Sequence, residues 1–214
     1  MKHIIKSPEP QALTDWKAQD KKYIKGLPNF ERIKGLYRRP ILNSLRVDQG
    51  NICCYCERTL KDGDCHIEHL MPQEYYEEYS CEYDNMLACC QLNLAPKEPR
   101  HCGVSKGSWY DDQLMISPLQ ADCETKFMYT ADGRIYPSID DDEAADLTIL
   151  HCQLNIDRLA AERGKIVETF IDPTLSEDDL IQYVKNYLAG KEANNGSYNP
   201  FYTTIQYLFG GFII

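Results

Sequence analysis

Two histidines and one glutamate, His66, Glu68 and His69, lie within one four-residue stretch of this chain. The chain has only five histidines in 214 residues, so two of them bracketing a carboxylate form an unusual group. An imidazole has a pKa suited to accepting a proton from water, and a carboxylate is a natural ligand for Mg²⁺ or a similar ion. Metal-assisted hydrolysis of a phosphodiester requires both kinds of group. The alternative is that these residues are extra zinc ligands or polar surface on a hairpin.

The cysteines, ten in number, form the second set of residues that could do chemistry. Cys53 and Cys56 have the Cys-x2-Cys spacing with which one tight turn presents two thiolates to zinc. Two further ligands must come from elsewhere, and the candidates are Cys89 or Cys90, followed by Cys102. We predict that Cys53, Cys56, Cys90 and Cys102 hold a structural zinc ion. The alternative is a coincidental group of unligated cysteines.

Hydropathy favours a cytoplasmic protein without a membrane partner. No apolar run approaches the length that spans a bilayer, and the first ten residues reach charge and proline too soon for a secretory signal. Thiols stay reduced in the cytoplasm, so clustered cysteines there bind metal more often than they form disulfides. A thiol redox function for residues 53–56 is a weaker hypothesis, because no βαβ pattern surrounds them.

Charge is distributed unevenly along the chain. The net charge is −10, yet residues 1–50 contain 11 Lys and Arg against 5 Asp and Glu. An enzyme that acts on nucleic acid usually gains affinity from basic surface, and a globally acidic chain should bind DNA weakly alone. Either the basic N-terminal part contacts phosphates, with Arg38 and Arg39 as candidates, or a partner does.

Three segments must position these residues, and together they predict an α+β protein. Residues 1–50 look helical, because apolar residues recur every three or four positions around 13–25 and 30–46. Residues 51–137 are rich in Cys, His and Asn and end in a hairpin. Residues 138–214 look mostly helical again.

Local signals mark several elements within these segments. Asp132 and Gly133 lie between β-type residues and predict the turn of the hairpin. The acidic residues 140–146 favour a helix after them, and apolar spacing continues through 147–170. Ser176 is a good helix N-cap. We expect a polar loop at 189–200 and a C-terminal helix docked on the core.

The order of the motifs resembles that of zinc-containing HNH endonucleases. The motifs read CCYCE, IEHLMP, DNMLACC and HCGVSKG. Over nearly the whole chain, the sequence is similar to the HNH component of Septu-type and retron-associated antiphage defence systems, through QGNICCYCE, MISPLQADCETKFMY and LHCQLNIDRLAAER. The resemblance implies a small zinc-stabilised ββα-metal module embedded in mostly α-helical flanks.

The resemblance also implies roles for individual residues. His69 matches the general base, and Glu68 matches the acidic metal ligand before it. Asn85 matches the asparagine whose amide holds the base-bearing loop, and Lys106 matches a lysine that contacts phosphate. The implied cofactors are a structural Zn²⁺ and a catalytic Mg²⁺ or Mn²⁺. The implied partners are nucleic acid and an ATPase of the SMC/ABC-like type, within an assembly that in some systems includes a reverse transcriptase and its non-coding RNA.

One position departs from the related pattern. The residue after the last zinc cysteine is usually Asn or His and binds the catalytic metal, but here it is Gly103. The missing ligand could be His66, His101, Asp111 or water. His66 has a geometric argument, because residues 66 and 68 share a face if this stretch is a strand. His69 would then need a strand end or a bulge to turn toward the same ion.

The sequence therefore predicts a metal-dependent endonuclease, with DNA favoured over RNA as substrate, that acts as the effector of an antiphage system. The competing hypothesis is a catalytically inactive zinc module that binds a partner ATPase or nucleic acid. Gly103 is the feature that favours the second hypothesis.

Overall fold

A computed structural model of the chain describes residues 1–23, 26 and 28–213. In this part of the chain, the helices are α1 (Gln11–Tyr23), α2 (Gly35–Asp48), α3 (Cys102–Lys106), α4 (Glu143–His151), α5 (Asp157–Glu168), α6 (Glu177–Tyr187), α7 (Gly190–Ala193) and α8 (Tyr202–Phe209). Two antiparallel sheets of two strands each pair β1 (Cys65–His69) with β2 (Met86–Cys90) and β3 (Phe127–Tyr129) with β4 (Ile135–Pro137). The architecture is α+β, as predicted.

The first sheet and α3 form a small strand-strand-helix unit. β1 runs antiparallel to β2, with His66 opposite Cys89 and Glu68 opposite Leu87, and α3 packs against β2. β1 ends at His69, which is the strand end that the sequence required there. Residues from 65 to 106 therefore bring the predicted chemical residues into one region.

One hydrophobic core crosses all three predicted segments. It contains Leu45 from α2, Leu87 from β2 and Leu159 from α5, each fully buried. A second, smaller cluster joins α5, α6 and α8 through residues such as Val184 and Ile205. The segment boundaries themselves stay predictions. No helix among the described residues is both long enough and apolar enough to cross a membrane.

The hairpin prediction is confirmed, and the structure adds a reason for the glycine. Gly133 has φ +82°, in the left-handed region that glycine adopts without strain. A methyl group at this position would lie 2.1 Å from the carbonyl oxygen of Ala160, so close packing of α5 also requires glycine. The predicted cap is confirmed as well, because the Ser176 hydroxyl accepts from the backbone N–H of Asp179 at the start of α6.

Three predicted elements differ from the structure. Residues 30–46 are not one helix, because a 3₁₀ turn at Phe30–Arg32 precedes α2. The periodic stretch 147–170 is divided between α4 and α5 by a break at 152–156. The polar loop at 189–200 contains the short helix α7. The predicted helix around 13–25 corresponds to α1, and its last two positions lie outside the described residues.

The break between α4 and α5 has a specific structural role. The side chain of Asn155 accepts from the N–H of Ile135 at 2.9 Å and donates to its carbonyl at 2.7 Å. Asn155 therefore pairs with β4 as another strand would, and this fixes α5 against the hairpin.

We expect Asn155→Ala to destabilise the protein by about 1–3 kcal/mol, because two partly buried backbone groups of Ile135 lose their partner. Arg158→Ala is the control, since Arg158 pairs with Glu98 and Glu162 at the exposed surface and should cost under about 1 kcal/mol. Urea unfolding of the zinc-loaded proteins measures both changes. Equal losses for the two variants would contradict this role of Asn155.

Candidate functional site

Six buried side chains that could hold a metal ion meet between β2, the N-terminus of α3 and the turn at 53–56. They are Cys53, Cys56, Cys89, Cys90, His101 and Cys102. The sulfur atoms of Cys53 and Cys89 are 3.8 Å apart, and those of Cys56 and Cys90 are also 3.8 Å apart. A zinc ion with Zn–S bonds of about 2.3 Å separates its sulfurs by about 3.8 Å in a tetrahedron. The donor chemistry and the spacing both fit zinc.

The donors form two overlapping groups of four, each with all ligand atoms within 4.8 Å of one another. One group is Cys53, Cys89, Cys90 and Cys102, and the other is Cys56, Cys90, His101 and Cys102. Neither group is the predicted set, because Cys53 and Cys56 fall in different groups, although each lies within 4.8 Å of both Cys90 and Cys102. The zinc ligands predicted from the sequence do not include Cys89 or His101, although each is adjacent in sequence to a predicted ligand.

The thiols of this cluster have pKa shifts in opposite directions, and most are shifted toward the protonated form that a bound metal ion would have to displace. Burial raises the pKa of Cys102, whereas the pKa of Cys53 is held well below its ordinary value, because contacts with the thiols of Cys102 and other neighbours outweigh its burial. Burial lowers the pKa of His101 to about 4, so its imidazole is neutral near pH 7. The His101 Nδ1 atom lies 3.0 Å from the sulfur of Cys102.

Glu68 lies next to this cluster with a buried carboxylate that is 8% exposed as a residue. Its Oε1 is 3.0 Å from the Lys106 ammonium and accepts from the Tyr55 hydroxyl at 3.4 Å. Its Oε2 is 3.8 Å from Nε2 of His66. Burial opposes ionisation of this carboxyl, but His66 and Lys106 hold the pKa of Glu68 below its ordinary value. The group is therefore a carboxylate near pH 7.

Gly103 makes room for this carboxylate. A methyl group built on Gly103 would lie 2.3 Å from Oε2 of Glu68 and 2.6 Å from its carboxyl carbon. Real contacts are never that short, so Glu68 occupies the space that a side chain at position 103 would take. The departure from the related pattern is thus accompanied by a carboxylate from β1 at the same place.

His69 has a defined orientation at the end of β1. Its Nε2 is 2.9 Å from the carbonyl oxygen of Ser80. A carbonyl only accepts, so Nε2 carries the hydrogen and Nδ1 keeps the lone pair. The ring meets the ring of Phe30 edge-on at 4.5 Å between centroids. Burial lowers the pKa of His69, which favours the neutral imidazole with its lone pair on Nδ1.

Asn85 holds the loop that orients His69. Its side chain accepts from the N–H of Met71 at 2.7 Å and donates to the carbonyls of Met71 and Tyr79 at 3.0 and 3.1 Å. Tyr79 directly precedes Ser80, whose carbonyl accepts from His69. Asn85 therefore acts on the imidazole through this loop and does not touch it in the described contacts.

Two other predicted residues have different surroundings from those expected. The side chain of Lys106 is fully buried, and its ammonium donates to Glu68 and to the carbonyl of His69 at 3.1 Å. A phosphate contact of Lys106 stays a prediction. The carboxylate of Asp111 accepts from the N–H groups of Gln113 and Leu114, which is a local turn contact.

Arg38 and Arg39 line a cleft of about 420 Å³ between α2 and β1. Its other lining residues are Gly35, Leu42, Cys65, His66, Ile67 and Leu92. The guanidinium of Arg38 also lies 4.6 Å from the ring centroid of Phe30, the ring that packs against His69. The two predicted substrate contacts thus share one cleft with His66, and Arg38 contacts the ring that packs against His69.

Comparison with known proteins agrees with the motif resemblance at a coarse level. No protein-family model matches the chain. The chain is 27% identical over 151 residues to a protein of Vibrio cholerae serotype O1 biovar El Tor that is described as a candidate HNH endonuclease of retron Vc95. The aligned part covers 67% of this chain and 69% of that protein. The chain is therefore similar to a protein assigned to the HNH nucleases in a retron context.

Proposed function

We propose that this chain is a metal-dependent HNH-type endonuclease that hydrolyses phosphodiester bonds, with DNA favoured over RNA. The observation that carries the proposal is the orientation of His69. Its lone pair is placed on Nδ1 by the Ser80 carbonyl, and His69 is the last residue of the strand on which Glu68 and His66 face each other. A base and a carboxylate-imidazole pair are the groups that such hydrolysis requires.

In this mechanism, His69 accepts a proton from water at Nδ1. The Nε2–H bond to Ser80 holds the ring in place while the imidazole becomes positively charged. The water oxygen attacks phosphorus, and the 3′ oxygen departs. Glu68 and His66 are the residues that would hold a Mg²⁺ or Mn²⁺ ion, which supplies positive charge to offset the charge that develops on the phosphate. Asn85 keeps the loop of Ser80 in register with the base.

The cysteine cluster serves a structural zinc in this proposal. Cys53, Cys56, Cys90 and Cys102 belong to a turn, a strand and a short helix, so one ion would join three separate elements. Zinc with four protein ligands has no open position for substrate. Its function is to hold α3 beside Glu68.

The cleft beside β1 supports a path for nucleic acid. Arg39 is exposed and Arg38 half-buried, and both line the cleft that also contains His66. Phosphate contacts from these arginines would lead a strand toward His69. The acidic remainder of the chain disfavours binding elsewhere, so we expect the isolated protein to be a poor nuclease.

The biological setting is also a proposal. The relative is named for a retron, and the motifs resemble the HNH component of Septu-type systems. These likenesses support an antiphage effector that works with an SMC/ABC-like ATPase, within an assembly that can include a reverse transcriptase and its RNA.

A second function is a non-catalytic zinc module that binds such a partner. Two observations favour it: Gly103 offers no ligand, and the ammonium of Lys106 already occupies one oxygen of Glu68. Cleavage assays separate the two functions.

We expect His69→Ala to reduce plasmid cleavage in Mg²⁺ or Mn²⁺ by at least about a hundredfold, because the general base is removed. The proteins are assayed on plasmid DNA and on RNA, with and without the partner ATPase. His3→Ala is the matched control, since this histidine bonds through its backbone to Glu124, and it should cleave normally. Identical background cleavage by native protein and His69→Ala would reject the enzymatic function.

We expect Cys56→Ser and Cys90→Ser to lose bound zinc and to unfold at lower temperature, because each removes one of four ligands. Cys123→Ala removes a buried thiol that contacts the carbonyls of Met1 and Pro118 instead, so it should keep its zinc. Metal content by mass spectrometry gives the answer. One zinc per chain in Cys90→Ser but none in Cys89→Ser would exchange the roles of these neighbours.

We expect Arg39→Gln to weaken DNA binding and to lower the slope of log affinity against log salt by about one, because one phosphate contact is lost. Binding is measured by fluorescence anisotropy in the His69→Ala background, which prevents cleavage. Arg134→Gln, which changes an arginine paired with Asp157, should leave the slope unchanged. An unchanged slope in Arg39→Gln would remove this arginine from the substrate path.

A further inference from the structure

The buried contact between α3 and β1 gives Lys106 and Gly103 a joint role. We infer that Lys106 is a positioning residue that clamps Oε1 of Glu68, and that Gly103 clears the space for the carboxylate, so that Oε2 alone is presented to a divalent ion. The inference rests on the proposed function, and it differs from the phosphate contact that the family resemblance implies for Lys106.

Three protein oxygen atoms surround the Lys106 ammonium, one for each of its N–H donors. An ammonium group has three N–H donors and no acceptor. The Lys106 ammonium lies 3.0 Å from Oε1 of Glu68, 3.1 Å from the carbonyl of His69 and 3.5 Å from the carbonyl of Gly107. Its side chain is completely inaccessible to solvent. A phosphate of the substrate would have to displace these protein acceptors to reach it.

Gly103 completes the clamp from the same face of α3. Residues 103 and 106 are three positions apart, so they lie on one side of a helix. This side of the helix faces Glu68, because a methyl group on Gly103 would collide with Oε2 at 2.3 Å while Lys106 bonds Oε1. Helix α3 therefore acts on both oxygens of Glu68: the Lys106 ammonium bonds Oε1, and the missing side chain of Gly103 leaves space for Oε2.

The clamp leaves one pair of donor atoms free. Oε1 is taken by Lys106 and Tyr55, whereas Oε2 faces Nε2 of His66 at 3.8 Å. The other ring nitrogen of His66, Nδ1, is buried and has no hydrogen-bond partner among the residues that the structure describes. Oε2 of Glu68 and the imidazole of His66 are thus the groups that would bind a cation here.

Lys106→Gln tests the clamp, because glutamine keeps a donor and removes the charge. We expect Mn²⁺ to bind about tenfold more tightly, since a positive charge 3.0 Å from the carboxylate is gone. We expect cleavage to fall at least about tenfold, since Glu68 and the carbonyl of His69 are no longer fixed. Mn²⁺ binding is followed by electron paramagnetic resonance on zinc-loaded protein.

This combination separates the possible roles of Lys106. A phosphate contact predicts unchanged Mn²⁺ affinity with weaker, less salt-dependent DNA binding, and that result would overturn the inference. If Lys106 only stabilises the fold, Lys106→Gln should lose zinc, Mn²⁺ binding and cleavage together. That result would also overturn the inference when Gly103→Ala binds Mn²⁺ with native affinity.

Gly103→Ala tests the other half without removing a buried charge. The added methyl group must displace Oε2, so we expect Mn²⁺ to bind at least about tenfold more weakly while one zinc per chain remains. Ser105→Ala in the same helix is the control and should bind Mn²⁺ as the native protein does. Native Mn²⁺ affinity in Gly103→Ala would contradict the clamp even if Lys106→Gln fails to fold.

The Mn²⁺-binding measurements test the clamp, and the cleavage assays test the nuclease function, so either hypothesis can be rejected without the other. If the native protein cleaves no nucleic acid but both variants shift Mn²⁺ affinity as stated, the proposed nuclease function fails and the clamp stands. If the native protein cleaves and neither variant changes Mn²⁺ affinity, the clamp fails and the nuclease function stands.

Discussion

The buried carboxylate of Glu68 is the constraint on which the site depends. An ionised carboxylate taken out of water loses several kcal/mol of hydration unless charged and polar partners replace it. Those partners come from three places in the chain: Tyr55 from the cysteine turn, His66 from the same strand and Lys106 from α3. The carboxylate therefore ties together the elements that carry the chemistry. Among these partners, the Lys106 ammonium is the one that bonds Oε1 with a full positive charge, so its removal would leave the carboxylate most poorly compensated.

The position of α3 explains why cysteines surround this carboxylate. A helix of five residues is too short to be stable by its own hydrogen bonds. It is anchored at its first residue, where the N–H of Cys102 donates to the carbonyl of Cys152 at 2.8 Å, and by the cluster of buried thiols. A metal ion in that cluster would fix the helix, and the helix in turn fixes Lys106. Metal binding and the geometry of Glu68 are thus mechanically linked.

Local features could be predicted from the sequence, and features that depend on distant packing could not. The turn at Gly133 and the cap at Ser176 follow from residue types that act within four positions. One short spacing and the order of the other cysteines predicted a cysteine cluster, but they did not place Cys89 and His101 in it. The burial of Lys106 had no such signal, because its acceptor lies 38 positions away on another element. The same is true of Gly103, whose role is visible only when Glu68 is placed against it.

The position of Phe30 also depends on packing that the sequence does not reveal. Its segment has helical periodicity, so the sequence predicted one helix over 30–46, but a 3₁₀ turn at its start places Phe30 beside His69. There it lies between the imidazole and the guanidinium of Arg38, within cation-π distance of the latter. An arginine held in this way is already oriented along the cleft before any substrate arrives, which lowers the entropy that a phosphate contact would cost. The N-terminal part of the chain therefore supplies both the packing for His69 and the positive charge beside it, in a chain whose net charge is −10. Because the remaining surface repels phosphate, a nucleic acid strand would be held mainly where these arginines meet β1, and access to that cleft is the step that a partner could control.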